Sequence, residues 1–116
     1  MKREFANPQA HWNWSVPAAH SQGVRCGNFI WISGQMDLDD ASRARHPGDI
    51  AAQAKNAVSN VERVIGEFGC GLKHVVKLLC FYVNDGTRDE TGVLEMIGAE
   101  LPDGLRPAIK IGRAHV

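Results

Sequence analysis

The sequence predicts an α+β fold in which two helices pack on one face of a mixed β-sheet. In two segments, which follow Asp49 and Thr87, apolar residues recur at spacings of three and four, the period of an amphipathic helix. Short runs of β-branched and aromatic residues precede and separate these segments. The order strand, strand, helix, strand, helix, strand is typical of an α+β layer, and a chain of 116 residues is long enough for one hydrophobic core. The sequence therefore predicts a single domain.

The first strands are predicted before the first helix. Trp12, Trp14 and Val16 alternate with polar residues and would share one face of an extended segment. A turn signal at residues 26–28 precedes the continuous apolar run 29–32. This pattern predicts a hairpin that leads into a buried strand.

The first helix has the clearest pattern in the sequence. The charged residues 37–48 predict a surface loop, and Asp49 is placed to cap the helix that follows. The apolar pattern continues to Gly69, where the helix is expected to end. Its apolar residues are Ile50, Ala54, Ala57, Val58, Val61, Ile65 and Phe68.

A further strand and a second helix are predicted in the other half of the chain. Residues 75–83 predict a second buried strand. Thr87 and Glu90 match a capping box at the start of the second helix. The apolar face of that helix consists of Val93, Leu94, Ile97 and Leu101. The chain from Leu105 onward is expected to be extended.

The composition indicates which partners to expect. Lysine plus arginine equals aspartate plus glutamate at 13 each, so no long-range field attracts the protein to nucleic acid or to an anionic membrane. Residues 1–8 are polar, and the longest apolar stretch is broken by Lys77, so neither export nor membrane insertion is predicted. The three cysteines have no C-x-x-C spacing, which favours reduced thiols over a disulfide framework or a metal site. A cytoplasmic protein that binds a small molecule and no metal is expected.

Short motifs occur in a fixed order between residues 15 and 109. They are Ser21-Gln22-Gly23-Val24, Gly27-Asn28, Ile32-Ser33-Gly34-Gln35, Gly48-Asp49, Ala52-Gln53, Asn60-Val61, Val75-Val76-Lys77, Tyr82-Val83-Asn84-Asp85 and Pro107-Ala108. In this order they resemble the RidA/YjgF family of imine and enamine deaminases. The resemblance implies a chorismate-mutase-like mixed sheet with two helices and a homotrimer whose three ligand clefts lie between subunits. No cofactor is expected, because the sequence has no phosphate-cradling glycine motif and no metal cluster.

The residue after Pro107-Ala108 departs from the family pattern. In the deaminase branch, the resemblance implies an arginine there, whose planar guanidinium holds the carboxylate of an imino acid. Ile109 takes that position in this chain and is a candidate ligand contact. Arg106 is a second candidate. On a strand, side chains three positions apart point to opposite faces, so Arg106 replaces the missing arginine only if the strand is bulged or its register is shifted. The alternative is a solvated surface arginine. The substrate is therefore expected to differ from the standard 2-imino acid.

The resemblance also implies ligand contacts after the hairpin. Ser33 is the candidate catalytic and substrate-binding hydroxyl, with a hydroxyl that caps a strand end as the alternative. The adjoining backbone of Gly34 allows a ligand to approach closely. His20 matches a position where the family often has an aromatic lid, and the alternative is an ordinary surface histidine. Trp12 and Trp14 either line the mouth of a cleft or pack on a strand face.

The end of the chain is expected to be incomplete. The resemblance implies a last strand and a glutamate that positions the attacking water, and both are missing from this sequence. Residues 110–116 can be encoded by DNA that contains the start of a widely used sequencing-library adapter. We therefore expect a RidA-like domain at residues 1–109, incomplete at its C-terminus, and hypothesise that residues 110–116 are a non-native tail.

Three functions are compatible with these features. The first is hydrolytic deamination of a small reactive imine or enamine. The second is a non-catalytic trimer that binds a small metabolite. The third is recognition of another protein through an exposed aromatic patch that includes Trp12 and Trp14. Ile109 favours an uncharged substrate or binding alone, and the family resemblance favours deamination.

Overall fold

A computed structural model describes residues 2–115. In chain order the elements are β1 (Arg3–Ala6), β2 (Gly23–Cys26), β3 (Phe29–Ile32), α1 (Ile50–Gly66), a short 3-10 helix (Leu72–His74), β4 (Lys77–Asn84), α2 (Glu90–Gly98) and β5 (Ala108–His115). Strands β1, β2 and β3 form an antiparallel sheet, and β4 pairs with β5 in parallel. Two helices with antiparallel and parallel pairing confirm the predicted α+β class.

The chain divides into two compact units, which meet in the sequence at Gly71 and Leu72. The first contains the antiparallel sheet and α1, and the second contains β4, α2 and β5. Within residues 2–115, neither helix has the length and apolar character that crossing a bilayer requires.

The predicted hairpin is present, and an additional strand extends its sheet. Gly27, with a φ of 62°, lies in the turn between β2 and β3, which pair in register along their whole lengths. β1 pairs with the other edge of β2. The sequence prediction missed β1 because its side chains are exposed apart from Ala6, so this backbone pairing leaves no hydrophobic pattern.

Trp12, Trp14 and Val16 do not share one face of a strand. Trp12 is buried, with 4% of its surface exposed, whereas Trp14 and Val16 are 56% and 63% exposed. Among the residues that the structure describes, this segment pairs with no strand, so nothing fixes the two-residue alternation on which the prediction depended. The indole of Trp12 instead turns inward to Gln35.

The strand β3 is amphipathic, and the prediction of a fully buried strand is wrong for the single chain. Ile30 and Ile32 are half-buried, while Phe29 and Trp31 are 69% and 58% exposed. One face of the sheet packs so closely on α1 that a Cβ added to Gly23 in β2 would come within 2.9 Å of the Val64 side chain. An antiparallel sheet with one covered face shows this alternation along its strands.

Helix α1 begins where predicted and ends earlier. The Asp49 carboxylate accepts a hydrogen bond from the Ala52 N–H at 3.1 Å and so caps the first turn. The helix ends at Gly66, because residues 67–69 form a turn that Gly69 completes with a left-handed φ of 72°. The residues that α1 buries are Ala54, Val58, Asn60, Val64 and Ile65.

The charged loop before α1 is held to that helix by polar contacts. The Asp37 carboxylate accepts hydrogen bonds from the His46 N–H at 2.6 Å, from His46 Nδ1 at 2.7 Å and from Asn56 Nδ2 at 2.9 Å. Burial raises the pKa of the Asp37 carboxyl, but these hydrogen bonds outweigh burial and hold the pKa below its ordinary value of 3.8. Asn60, also on α1, donates to the Met36 carbonyl at 2.9 Å. The chain directly after Gln35 is therefore fixed in position.

In the second unit, α2 is capped by a different residue from the one predicted. Asp89 caps the helix by accepting a hydrogen bond from the Gly92 N–H at 2.9 Å. Thr87 instead bonds the Asp85 carboxylate through both its hydroxyl and its N–H, so the predicted capping box is wrong. A local turn that uses the Thr87 hydroxyl competes with its role as a helix cap.

The strands β4 and β5 pair along their whole lengths. The side chains of β4 alternate between exposed and half-buried, and Leu79, Phe81 and Val83 lie on the exposed face. The prediction of a buried strand is therefore wrong for this face in the single chain. β5 continues without interruption through residues 110–115, and the backbone shows no boundary at Ile109. The non-native origin of residues 110–116 stays a hypothesis.

Candidate functional site

Ser33 and Gln22 become neighbours through the register of the hairpin. Gly23 pairs with Ile32 at the end of the β2–β3 ladder, and the next hydrogen bond joins the Ser33 N–H to the Gln22 carbonyl at 2.9 Å. The two side chains then meet, with 3.2 Å between Ser33 Oγ and Gln22 Oε1. The turn at Gly27 therefore decides which side chain faces Ser33.

Gln22 is the buried centre of this site, with none of its surface exposed. Its Nε2 donates to the Trp12 carbonyl at 3.0 Å, and its Oε1 accepts from the Ser33 hydroxyl at 3.2 Å and from Gln35 Nε2 at 2.9 Å. Its backbone N–H donates to Asn7 Oδ1 at 3.1 Å. A buried polar group without a partner costs about 1–3 kcal/mol, so these contacts allow an amide to lie in the interior.

The indole of Trp12 fixes the orientation of the Gln35 amide. An indole N–H can only donate, so the Gln35 atom at 2.8 Å from Trp12 Nε1 is the oxygen. The Gln35 Nε2 therefore points the other way, where it donates to Gln22 Oε1 at 2.9 Å and to Ser33 Oγ at 3.2 Å. The amides of Gln22 and Gln35 are thus oriented by groups of fixed hydrogen-bonding character.

Ser33 offers a hydrogen-bond acceptor to a ligand. Its hydroxyl proton is directed to Gln22 Oε1, which can only accept, and one oxygen lone pair accepts from Gln35. One lone pair remains. No histidine or carboxylate within residues 2–115 is hydrogen-bonded to Ser33 Oγ, so no general base is in place to make this hydroxyl a nucleophile. The group suits a ligand that donates an N–H or O–H.

Gly34 places an exposed backbone next to this hydroxyl. A Cβ added to Gly34 would meet nothing within 4 Å, so the space beside it is open. In the part of the chain that the structure describes, the Gly34 N–H has no hydrogen-bond acceptor. Ser33 and Gly34 therefore present an acceptor and a donor side by side.

His20 lies in an aromatic cluster with Trp12 and Trp14. The centroid of its ring is 6.1 Å from that of Trp12 and 5.8 Å from that of Trp14, with an edge-to-face contact to the latter. Its Nδ1 is buried without a hydrogen-bond partner among the described residues. Among the described side chains, the ring contact with Trp12 is what joins His20 to the Ser33 network.

His11 is a second histidine beside Trp12, and it is 7% exposed. Its Nε2 lies 2.9 Å from Gln35 Oε1. Burial lowers the pKa of His11 below its ordinary value of 6.5; the hydrogen bond to Gln35 opposes this shift, and the positive charge of Arg63 adds to it. The imidazole is therefore neutral at physiological pH.

Arg106 and Ile109 belong to the second unit. Arg106 is exposed and precedes Pro107 outside any strand, and Ile109 is half-buried as the second residue of β5, opposite Leu78. Their roles as ligand contacts stay predictions.

A surface cavity of about 350 Å³ also borders Trp12. Its polar lining includes Asn60 and Arg63 of α1, and Arg63 donates to the Ala10 carbonyl at 2.8 Å. The predicted ligand contacts His20, Ser33, Gly34, Arg106 and Ile109 do not line this cavity. It shares only Trp12 with the Ser33 network.

Sequence reasoning found part of this network and missed the rest. Ser33 and Gly34 were predicted, and Gln22 and Gln35 lie in the motifs that carry the family resemblance, although no role was assigned to them. His11 gave no signal, because its bond to Gln35 joins residues 24 positions apart in a segment without regular structure.

Comparison with known proteins identifies the family of the chain. A family model described as endoribonuclease L-PSP matches residues 13–109. A RutC family protein of Pyrococcus abyssi is 30% identical over 96 residues, which cover 81% of this chain and 74% of that protein. A 2-iminobutanoate/2-iminopropanoate deaminase of Bos taurus is 39% identical over 75 residues, which cover 60% of this chain and 55% of the bovine protein, so the match spans about half of that relative.

A solved structure agrees with this assignment. The crystal structure of RidA from the Antarctic bacterium Psychrobacter sp. PAMC 21119 superimposes with a TM-score of 0.70 and 25% identity, over 97% of this chain and 84% of the other. The family model matches residues 13–109, a range that includes Gln22, Ser33, Gly34 and Gln35. The chain therefore belongs to the RidA/YjgF family.

Proposed function

We propose that this chain acts in the hydrolytic deamination of a small reactive imine or enamine, with Ser33 in contact with the substrate. The observation that carries the proposal is the remaining acceptor lone pair of Ser33 Oγ. It lies next to the exposed residue Gly34, whose N–H has no acceptor among the described residues. A protonated imine carries N–H donors, which such an acceptor binds. The relatives that are named 2-iminobutanoate/2-iminopropanoate deaminases support the same class of reaction.

The proposed reaction is hydrolysis of a C=N bond. Water adds to the carbon of the protonated imine and loses a proton, which gives a carbinolamine. A proton then returns to the nitrogen, and the C–N bond breaks with its electron pair on nitrogen, so ammonia leaves as an oxygen lone pair forms the carbonyl. The hydroxyl proton that this step releases passes to ammonia, which gives ammonium. By accepting an N–H of the protonated imine, Ser33 orients the C=N bond and stabilises its positive charge.

The proposed substrate lacks the carboxylate of a standard 2-imino acid. Ile109 offers no hydrogen-bond donor where the family resemblance implies an arginine, and the hydroxyl proton of Ser33 is already directed to Gln22. A carboxylate without charged partners in a desolvated site costs on the order of several kcal/mol. An imine or enamine that carries no charge apart from its protonated nitrogen therefore fits this chain better.

The assembly that we propose is a homotrimer in the cytoplasm, with the small-molecule site in clefts between subunits. The open face of the antiparallel sheet supports association, because Phe5, Phe29 and Trp31 are each more than half exposed in the single chain. Apolar side chains clustered on one sheet face are typical of an interaction surface.

A second candidate function is the binding of a small metabolite without turnover. Two observations favour it: Ile109 in place of the family arginine, and a Ser33 hydroxyl without a general base among its described contacts. RNA cleavage, which the description of the family model names, is not proposed, because 13 basic and 13 acidic residues provide no net positive charge to attract RNA.

The test of the proposed function is ammonia release from freshly generated imines, one with a carboxylate and one without. We expect turnover of the uncharged imine. Ser33→Ala should lower kcat/KM about ten- to a hundredfold, because it removes an acceptor for a charged donor. Ser59→Ala is the matched control, since Ser59 is an exposed hydroxyl on α1, and it should leave kcat/KM unchanged.

Ile109→Arg tests the substrate class separately. We expect this variant to gain activity toward the imine that carries a carboxylate. If the unchanged chain already deaminates that imine and the arginine adds little, the proposed substrate class is wrong. If neither imine yields ammonia while a small ligand binds, the second candidate function replaces the first.

A further inference from the structure

The hydrogen bonds around Gln35 determine which nitrogen of His11 carries its proton. Gln35 Oε1, identified by its contact with the Trp12 indole, can only accept, and His11 Nε2 lies 2.9 Å from it. His11 Nε2 therefore carries a hydrogen. A neutral imidazole has a single N–H, so Nδ1 holds a bare lone pair. This agrees with the surroundings of Nδ1, which is buried and has no hydrogen-bond partner within residues 2–115.

We infer that His11 is a positioning residue, which as the neutral Nε2–H tautomer holds the Gln35 amide so that Ser33 keeps its free lone pair for the ligand. The role in catalysis rests on the proposed function. The role in orienting Gln35 rests on the contacts alone: His11 and Trp12 bind Gln35 Oε1 from one side, and Gln22 and Ser33 accept from Gln35 Nε2 on the other.

A reversed Gln35 amide would be disfavoured on both sides. Its NH₂ group would face the N–H donors of His11 and Trp12, and its oxygen would face Gln22 Oε1. The two donors fill both lone pairs of Gln35 Oε1. Loss of the His11 donor leaves one of these lone pairs unsatisfied in a partly buried site, which weakens the preference for the observed orientation.

The effect on Ser33 follows from the same contacts. When Gln35 Nε2 no longer faces Ser33 Oγ, the serine oxygen loses the donor that occupies one of its two lone pairs. That donor is also what directs the hydroxyl proton of Ser33 to Gln22. The hydroxyl can then rotate and present its proton to the ligand. A protonated imine would meet a donor instead of an acceptor.

Two variants of the full chain separate hydrogen bonding from packing. His11→Phe keeps a ring of similar size without a donor, and His11→Gln keeps a donor without a titratable ring. We expect His11→Phe to shift the ¹⁵N–¹H resonances of the Gln35 side-chain amide and to lower kcat/KM for the uncharged imine about fivefold, the equivalent of one ordinary hydrogen bond. His11→Gln should restore both to near the values of the unchanged chain.

The ring nitrogens of the unchanged chain provide a measurement that does not depend on any variant. We expect ¹⁵N chemical shifts of His11 that show a proton on Nε2 and a bare Nδ1 at neutral pH. A proton on Nδ1 would overturn the inference, and so would a His11→Phe variant that folds and leaves the Gln35 amide resonances unchanged. Thermal unfolding of each variant shows whether it folds.

The two proposals fail in different ways. If the unchanged chain releases no ammonia but the Gln35 resonances respond to His11 as expected, the proposed function is wrong and the positioning role stands. If the chain is active and His11→Phe changes neither Gln35 nor kcat/KM, the positioning role is wrong and the proposed function stands.

Discussion

The indole N–H of Trp12 affects the orientation of the Ser33 hydroxyl, although the two side chains are not hydrogen-bonded to each other. Because the indole can only donate, it fixes Gln35, and Gln35 in turn fixes the direction of the Ser33 hydroxyl. The family resemblance pointed to Ser33 itself. Its character as an acceptor depends on Gln22, Gln35 and Trp12, and of these three side chains Gln35 alone is close to Ser33 in the sequence.

At the same scale, His11 makes folding stability depend on pH. Burial lowers its pKa in the folded state relative to 6.5, and the charge of Arg63 on α1 acts in the same direction. The unfolded chain then binds more protons as the pH falls through 6.5, so the stability present above this value is lost toward acid pH.

We therefore expect the free energy of unfolding to fall more between pH 7.5 and pH 5.5 in the unchanged chain than in His11→Gln. This range extends about one pH unit on either side of an ordinary histidine pKa, where the charge of a free histidine changes most. Urea unfolding at both pH values measures this difference, and other titrating groups cancel in the comparison. Equal slopes in the two proteins would show that His11 is not held neutral by the fold.

At the scale of elements, the quality of each prediction follows from the kind of interaction that forms the element. Helix α1 is predicted from its apolar period and its Asp49 cap, and both are local in sequence. The strand β1 and the conformation of Trp12 are not local, since they depend on the edge of β2 and on Gln35. The sequence prediction missed β1 and assigned Trp12 wrongly. It also placed the cap of α2 at Thr87, where a local turn with Asp85 competes with capping.

The close packing of β2 on α1 gives a prediction at this scale. Gly23→Ala should lower the free energy of unfolding by about 1–3 kcal/mol, because the added methyl would lie 2.9 Å from Val64 and 3.0 Å from Phe68. The control is Gly66→Ala at the end of α1, where nothing lies within 4 Å and the substitution should raise stability by up to about 1 kcal/mol. Denaturant unfolding measures both; a Gly23→Ala variant as stable as the control would contradict this packing.

At the scale of the whole molecule, each of the two units has an exposed apolar sheet face that a single chain leaves unexplained. Phe5, Phe29 and Trp31 lie in the antiparallel sheet of the first unit, and Leu79, Phe81 and Val83 form an exposed row on β4 in the second. Hydrophobic faces of this kind favour association with further copies, which supports the proposed trimer.

Light scattering coupled to gel filtration should therefore give a mass of three chains. We expect Trp31→Lys to shift the protein toward the monomer, because it places a charge on the sheet face. Leu94→Lys is the matched control, since Leu94 is exposed on α2 and not on a sheet, and its mass should not change. A monomeric unchanged chain, or an unaffected mass in Trp31→Lys, would exclude this face as the trimer interface.

The sequence by itself determined the α+β class, the hairpin, the two helices and the family, because each of these depends on local periodicity, turn residues or short motifs in order. It also singled out Ser33 and Gly34 as candidate ligand contacts, a role that stays a prediction. Only the tertiary structure decided that Ser33 offers an acceptor and that His11 belongs to its network. The physical reason is the directionality of hydrogen bonds: which donor meets which acceptor depends on the positions of groups up to 24 residues apart, which composition and spacing do not encode.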